Sequence, residues 1–167
     1  MVSTGSEGRH GTEQDIELWK EIHSYPEIDY ANIHILPYNW GWARPERVED
    51  DVERAKKMTA DYVDEHVAAI AGAAKPIVIE EFGFPRDSMA ISRDSATTGR
   101  DSYYNMVFSL PAENPGVAGV NFWGWGGYAE PAHKAWEPGD DYTGDPAQED
   151  QGLNSVFATD KSTLEII

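Results

Sequence analysis

The chain has 167 residues, 40% of them hydrophobic, which is enough for one compact domain with a real core. Six Trp, eight Tyr and five Phe exclude a disordered chain, and a formal net charge of -17 argues against nucleic acid, whose phosphates it would repel. With no Cys there is neither a disulfide nor thiolate chemistry, and no apolar run is long enough to span a bilayer.

Taken in chain order, Met1 to Thr4 reads as the end of a strand, with no leader pattern before it. Gln14 to His23 places Ile16, Trp19 and Ile22 at helical spacing and stops before Pro26. Asn32 to Leu36 reads as a second short strand. Asp51 to Ala73 is the clearest helix: Val52, Ala55, Thr59, Tyr62, His66, Ala69 and Ala73 recur at steps of three and four, while Arg54, Lys57 and Asp61 mark another face. Pro76 to Glu80 is the kind of continuous apolar run that buried parallel strands show. Arg100 to Leu110 reads as a helix with Tyr103, Tyr104, Val107 and Phe108 on one side, and Gly119 to Phe122 as a fourth strand. Ser162-Thr163 is the expected N-cap of a last helix beginning at Leu164.

Four β-then-α units with no hairpin signal between them predict parallel strands with crossover helices, hence an α/β fold. Four units are half of an eight-fold barrel, which normally needs about 250 residues. A flavodoxin-like open sheet suits the length better, but the chain has no Gly-rich phosphate loop. The positions of the polar and aromatic clusters favour the barrel. Gly5 to Gly8, His34 to Trp42, Glu80 to Asp87 and Trp123 to Tyr128 each follow a strand, where barrel active sites are built.

Glu80 and Glu81 end the third strand. Adjacent strand residues point to opposite sides, so one carboxylate is expected at the barrel mouth as a nucleophile and the other as its supporting hydrogen-bond partner. The alternative is an ordinary acidic pair held by Arg or Lys. His34 ends its strand beside Tyr38, Asn39, Trp40 and Trp42. A lone strand histidine is often a satisfied core residue, but aromatic plates edged by polar groups suit a sugar, and Asn121 to Tyr128 repeats the mix. Gly139 to Asp145 lacks the spacing of a calcium loop and reads as a solvated loop with Asx turns. The five His have no zinc-site spacing, and no Gly-x-Ser-x-Gly elbow exists. Neither a metal nor a cofactor is expected.

Lys75 to Asp87 resembles the nucleophile strand of glycoside hydrolase family 5, in its β-mannanase branch. Ser3 to Gly8, His34 to Trp42 and Asn121 to Gly127 support the resemblance in the same order, and Gln151 to Phe157 fits the bacterial members. The resemblance implies a retaining hydrolase of internal β-1,4-mannosidic bonds with Glu81 as nucleophile. It places His34 at the end of the sixth barrel strand, Trp123 under the sugar, Glu7 on the leaving-group side and Trp125 as a further platform. Two departures stand out. Leu36 occupies a position where the family often has a Tyr bonded to the nucleophile, for which Tyr38 is the candidate substitute. The acid/base glutamate, which in the family ends the fourth strand, has no counterpart here.

The expectation is therefore residues 1–167 as the C-terminal half of a (β/α)8 TIM barrel, strands five to eight with their helices, the last helix cut short. The implied partners are a β-mannan or related polysaccharide and either the N-terminal half-barrel or a second copy, with no nucleic acid and no membrane. The implied setting of the parent is extracellular or periplasmic, and the chain alone is expected to be inactive. A β-glucanase of the same family and a non-catalytic carbohydrate-binding half-barrel are the alternatives.

Overall fold

The computed structural model describes residues 1–167. Its elements in chain order are α1 (Ile16–Ser24), β1 (Ala31–Ile35), α2 (Val52–Ile70), β2 (Ile77–Phe82), α3 (Thr98–Glu113), β3 (Val117–Val120), β4 (Trp125–Gly127), β5 (Val156–Phe157) and α4 (Lys161–Ile166). β1, β2 and β3 form a parallel sheet in sequence order, and β4 pairs in parallel with β5. The expected α/β class is thus present. No helix is long and apolar enough to cross a membrane.

Several boundaries differ from the expected ones for physical reasons. Met1 to Thr4 is not a strand. Asp29 donates its backbone N–H to Val2 O, but Ser3 and Thr4 turn their hydroxyls onto the Asn32 side chain, so no ladder forms. β3 begins two residues earlier than expected, at Val117. α3 runs past Leu110 through Pro111 to Glu113. The last helix starts at Lys161 after Asp160, because the Asp160 carboxylate already accepts from Phe157 N and Arg86. α1 is capped by Asp15, which accepts from Glu17 N and Leu18 N, each at 3.0 Å.

The chain divides into two compact units, Met1–Ile35 with Lys57–Phe82 and Ser109–Asn121, and Leu36–Lys56 with Gly83–Phe108 and Phe122–Ile167. In the first, Ile33, Ile35, Ile77, Ile79 and Phe82 are fully buried, whereas Val78, Glu80 and Glu81 are half-buried. The alternation belongs to β2 and breaks at the Glu80–Glu81 pair, whereas all five residues of β1 are buried. Trp19 of α1 is buried and donates its indole N–H to Asn32 O at 3.1 Å.

The segment before α1 depends on Tyr62 and His66 of α2. Tyr62 Oη donates to Glu7 O at 2.6 Å, and Arg9 N donates to His66 Nε2 at 2.9 Å. Gly8 passes between them with φ +75°, and a Cβ there would meet Tyr62 Oη at 2.3 Å, so only glycine fits. His66 Nε2 is therefore an acceptor, and the proton sits on Nδ1, which donates to Tyr62 O at 2.7 Å. Burial pulls the imidazole down to about 4 from 6.5. Between those values the unfolded chain binds a proton that the folded one does not. Stability should therefore fall as pH drops from about 6.5 to 4, by up to about 3 kcal/mol. Imidazole NMR checks this directly: a His66 midpoint near 4 is expected, and one near 6.5 contradicts it.

The second unit is organised around buried charge. Arg86 and Arg100 are both fully buried, with Asp160 only 6% exposed. Arg86 Nη2 meets Asp160 Oδ2 at 2.6 Å, and Arg100 donates to Phe84 O, Ser155 O and Leu153 O at 2.8, 2.8 and 2.6 Å. These bonds join the loop after β2, the start of α3 and the chain leading into β5.

Candidate active site

β2 carries the pair of acids, and its register with β1 decides where they point. Ile33 pairs with Ile79, but the next residue, His34, pairs with Glu81, so the ladder passes over Glu80. Such a bulge re-aims side chains. Glu81 Oε2 lies 3.4 Å from His34 Nδ1, and Glu80 Oε2 lies 3.9 Å from His34 Nε2. This corrects the expectation that the two carboxylates take opposite sides of the strand. Both flank one nearly buried imidazole.

Their environments differ. Glu80 Oε1 accepts from Tyr30 Oη at 2.6 Å, whereas Glu81 accepts no hydrogen bond. Burial pushes the Glu81 carboxyl above the usual carboxylate range, His34 draws it back, and the charges of Glu7 and Glu80 raise it further. The hydrogen bond to Glu80 raises the Tyr30 phenol, with burial and the Glu80 charge adding to it. Glu7, His34, Glu80 and Glu81 thus belong to one electrostatic cluster in the first unit. Sequence reasoning missed Tyr30. Its signal was a period of two that runs from Tyr30, just before β1, through Asn32 and His34.

Tyr38, Trp123 and Trp125 lie in the second unit. The loop after β1 turns through Trp42 N to Pro37 O at 2.8 Å and Gly41 N to Tyr38 O at 3.0 Å. It is held by Arg44, which grips Asp51 with Nε and Nη2 at 2.7 Å each, and by Arg54, which donates to Gly41 O and Trp42 O. Tyr38 is half-buried there, and Trp40 meets Trp42 edge-on at 4.8 Å between centroids. Trp123 is half-buried and precedes a cis peptide bond to Gly124. Gly83 packs against Trp123 O and Asn154 Oδ1, where a Cβ would stand 3.1 and 3.2 Å away. Trp125 opens β4 and is 54% exposed.

The late acidic loop is only partly the solvated loop expected. Asp140 makes no Asx turn: its carboxylate accepts from Glu137 N, three residues back, at 3.0 Å and faces His133 Nδ1 at 3.0 Å. Thr143 and Asp145, by contrast, are buried. Asp145 accepts from Gly152 N at 2.8 Å and Asn154 N at 3.1 Å, so this acid ties down the tail that leads to β5. No group of three or more His, Asp or Glu is placed to hold a metal ion. A depression of about 540 Å³ in the second unit, lined by Thr97, Asp101, Asp160 and Ser162 among others, contains none of the expected site residues.

Among solved structures, the chain is similar to a glycoside hydrolase family 5 mannosidase from Rhizomucor miehei in complex with mannosyl-fructose. The TM-score is 0.84 at 30% identity, covering 99% of this chain and 41% of that one. The hyperthermostable endo-1,4-β-D-mannanase from Thermotoga petrophila shares the fold, with a TM-score of 0.53 at 22% identity over 89% of this chain and 34% of that one. In sequence, the chain is 33% identical over 99 residues to a protein named "Probable mannan endo-1,4-beta-mannosidase F" from Emericella nidulans. That stretch is 59% of this chain and 17% of the relative, and the chain spans 41% of the Rhizomucor miehei mannosidase, less than half of either protein's length. The family described as glycoside hydrolase family 5 β-mannosidase-like matches residues 1–167, and the chain belongs to it.

Proposed function

We propose that the chain is the C-terminal half of a (β/α)8-barrel glycoside hydrolase that cleaves internal β-1,4-mannosidic bonds with retention. The observation that carries the reading is Glu81 at the end of β2, half-buried, free of hydrogen bonds and 3.4 Å from His34 Nδ1. A carboxylate so placed can attack an anomeric carbon. The C–O bond to the leaving group breaks as the new ester bond forms, and a second carboxyl gives the leaving oxygen its proton. That second group then takes a proton from water, which hydrolyses the ester. The pair must lie about 5–5.5 Å apart for this chemistry. By the family resemblance the second carboxyl comes from the end of the fourth strand, outside these residues.

Trp123 is the proposed plate under the sugar, Trp125 a further platform, Glu7 a contact on the leaving-group side, and Tyr38 and Glu80 supports. The names of the Emericella nidulans relative and of the Rhizomucor miehei mannosidase favour mannan over β-glucan. The parent is proposed to act extracellularly or in a periplasm.

Complementation tests the reading. The chain alone is expected to self-associate, since a half-barrel leaves sheet edges unpaired, and to release no reducing sugar from mannan. Mixed or fused with the first four strands of a family 5 mannanase, it is expected to hydrolyse β-1,4-mannan in preference to β-1,4-glucan. Binding of mannan with no hydrolysis by the completed barrel favours the non-catalytic half-barrel instead.

A further inference from the structure

Two adjacent glutamates of identical intrinsic chemistry flank one histidine, so something must decide which of them acts. The difference lies in what holds each. Glu80 is fixed by a 2.6 Å hydrogen bond from Tyr30, and Glu81 is not fixed by any. Tyr30 directly precedes β1, and the first β1 residue, Ala31, pairs with Ile77, three residues before Glu80. The hydroxyl therefore reaches Glu80 from the side where the strands begin, away from the loop that follows Glu81. A charge-assisted bond of this length fixes where the Glu80 carboxylate sits. The position where the family often places a tyrosine against the nucleophile holds Leu36, which cannot donate.

We propose that Tyr30 is a positioning residue that selects the nucleophile: its hydroxyl draws Glu80 back toward the strand starts and leaves Glu81 as the carboxylate that attacks. The proposal rests on the hydrolase reading, but the contact it describes can be measured without turnover. The charged groups around Glu81 are His34, Glu7 and Glu80. Released by Tyr30→Phe, Glu80 is free to move toward His34 and Glu81. Either movement disfavours the ionised form of Glu81, the first by competing for the imidazole and the second by like-charge repulsion.

The test is a 13C-carboxyl NMR titration of Glu81 in the full chain. Tyr30→Phe is expected to raise the Glu81 midpoint by about half a pH unit or more. Glu80→Gln is expected to lower it, and Tyr30→Phe placed in the Glu80→Gln background is expected to leave it where Glu80→Gln alone puts it. A general loosening of the sheet would move Glu81 equally in both backgrounds, and that result overturns the proposal, as does an unmoved midpoint in Tyr30→Phe. If Tyr30→Phe fails to fold, the Tyr30 phenol is titrated in Glu80→Gln. A fall toward the ordinary value of 10.0 supports the contact, and no change overturns it. Failure of the hydrolase reading shows separately, as the absence of turnover in the completed barrel.

Discussion

In a barrel completed with its acid/base strand, Glu81→Gln is expected to lower mannan turnover on the order of 10⁴-fold or more while leaving the fold intact. The amide has nearly the same shape, so the packing around it is unchanged. What it cannot do is form the glycosyl ester, and no other unengaged carboxylate stands beside His34. Glu80→Gln is expected to cost far less, on the order of 10-fold, since Glu80 is already committed to Tyr30. Initial rates on mannan check both values. The larger loss in Glu80→Gln would reverse the assignment.

Asp160→Ala is expected to lower stability by about 3–5 kcal/mol, because it leaves two fully buried guanidiniums without their shared carboxylate. Burial already disfavours the charge on Arg100, and Asp160 is among the groups that offset this cost. Against a total of about 5–15 kcal/mol for a natural domain, the loss is large. It should lower the melting temperature by roughly 10 °C, with the second unit affected first. Asp160→Asn retains an acceptor for Phe157 N but not the charge, so it is expected to fall between wild type and alanine. Calorimetry checks the series, and an Asp160→Ala melt within a degree or two of wild type contradicts it.

The parts of the fold that could be read from sequence are those whose signal is local. The apolar run at Ile77 to Ile79 and the spacing of Val52, Ala55, Thr59, Tyr62 and His66 reflect burial of a strand and of one helix face, and both elements are present. The positions of the two glutamates could not be read, because a bulge between His34 and Ile33 depends on the neighbouring strand. The charged centre of the second unit was equally hidden. Arg86 and Asp160 are 74 residues apart, and nothing near either one announces the other. The same distance explains the misplaced cap: Ser162 and Thr163 have the right side chains, but Asp160 is fixed by Arg86 and sets the helix start. In the late loop, composition alone made Asp145 look like Asp140. Its burial comes from accepting the backbone of Gly152 and Asn154.

The central claim is that Glu81 forms the covalent bond to the sugar. A 2-deoxy-2-fluoro-β-mannosyl fluoride tests it most directly, because its leaving group needs little acid assistance and its fluorine slows hydrolysis of the ester. After exposure of the completed barrel to the reagent, peptide mapping is expected to find one fluoromannosyl group, on Glu81. A label on Glu80, or a completed barrel that turns over mannan but carries no label at either glutamate, would contradict the account.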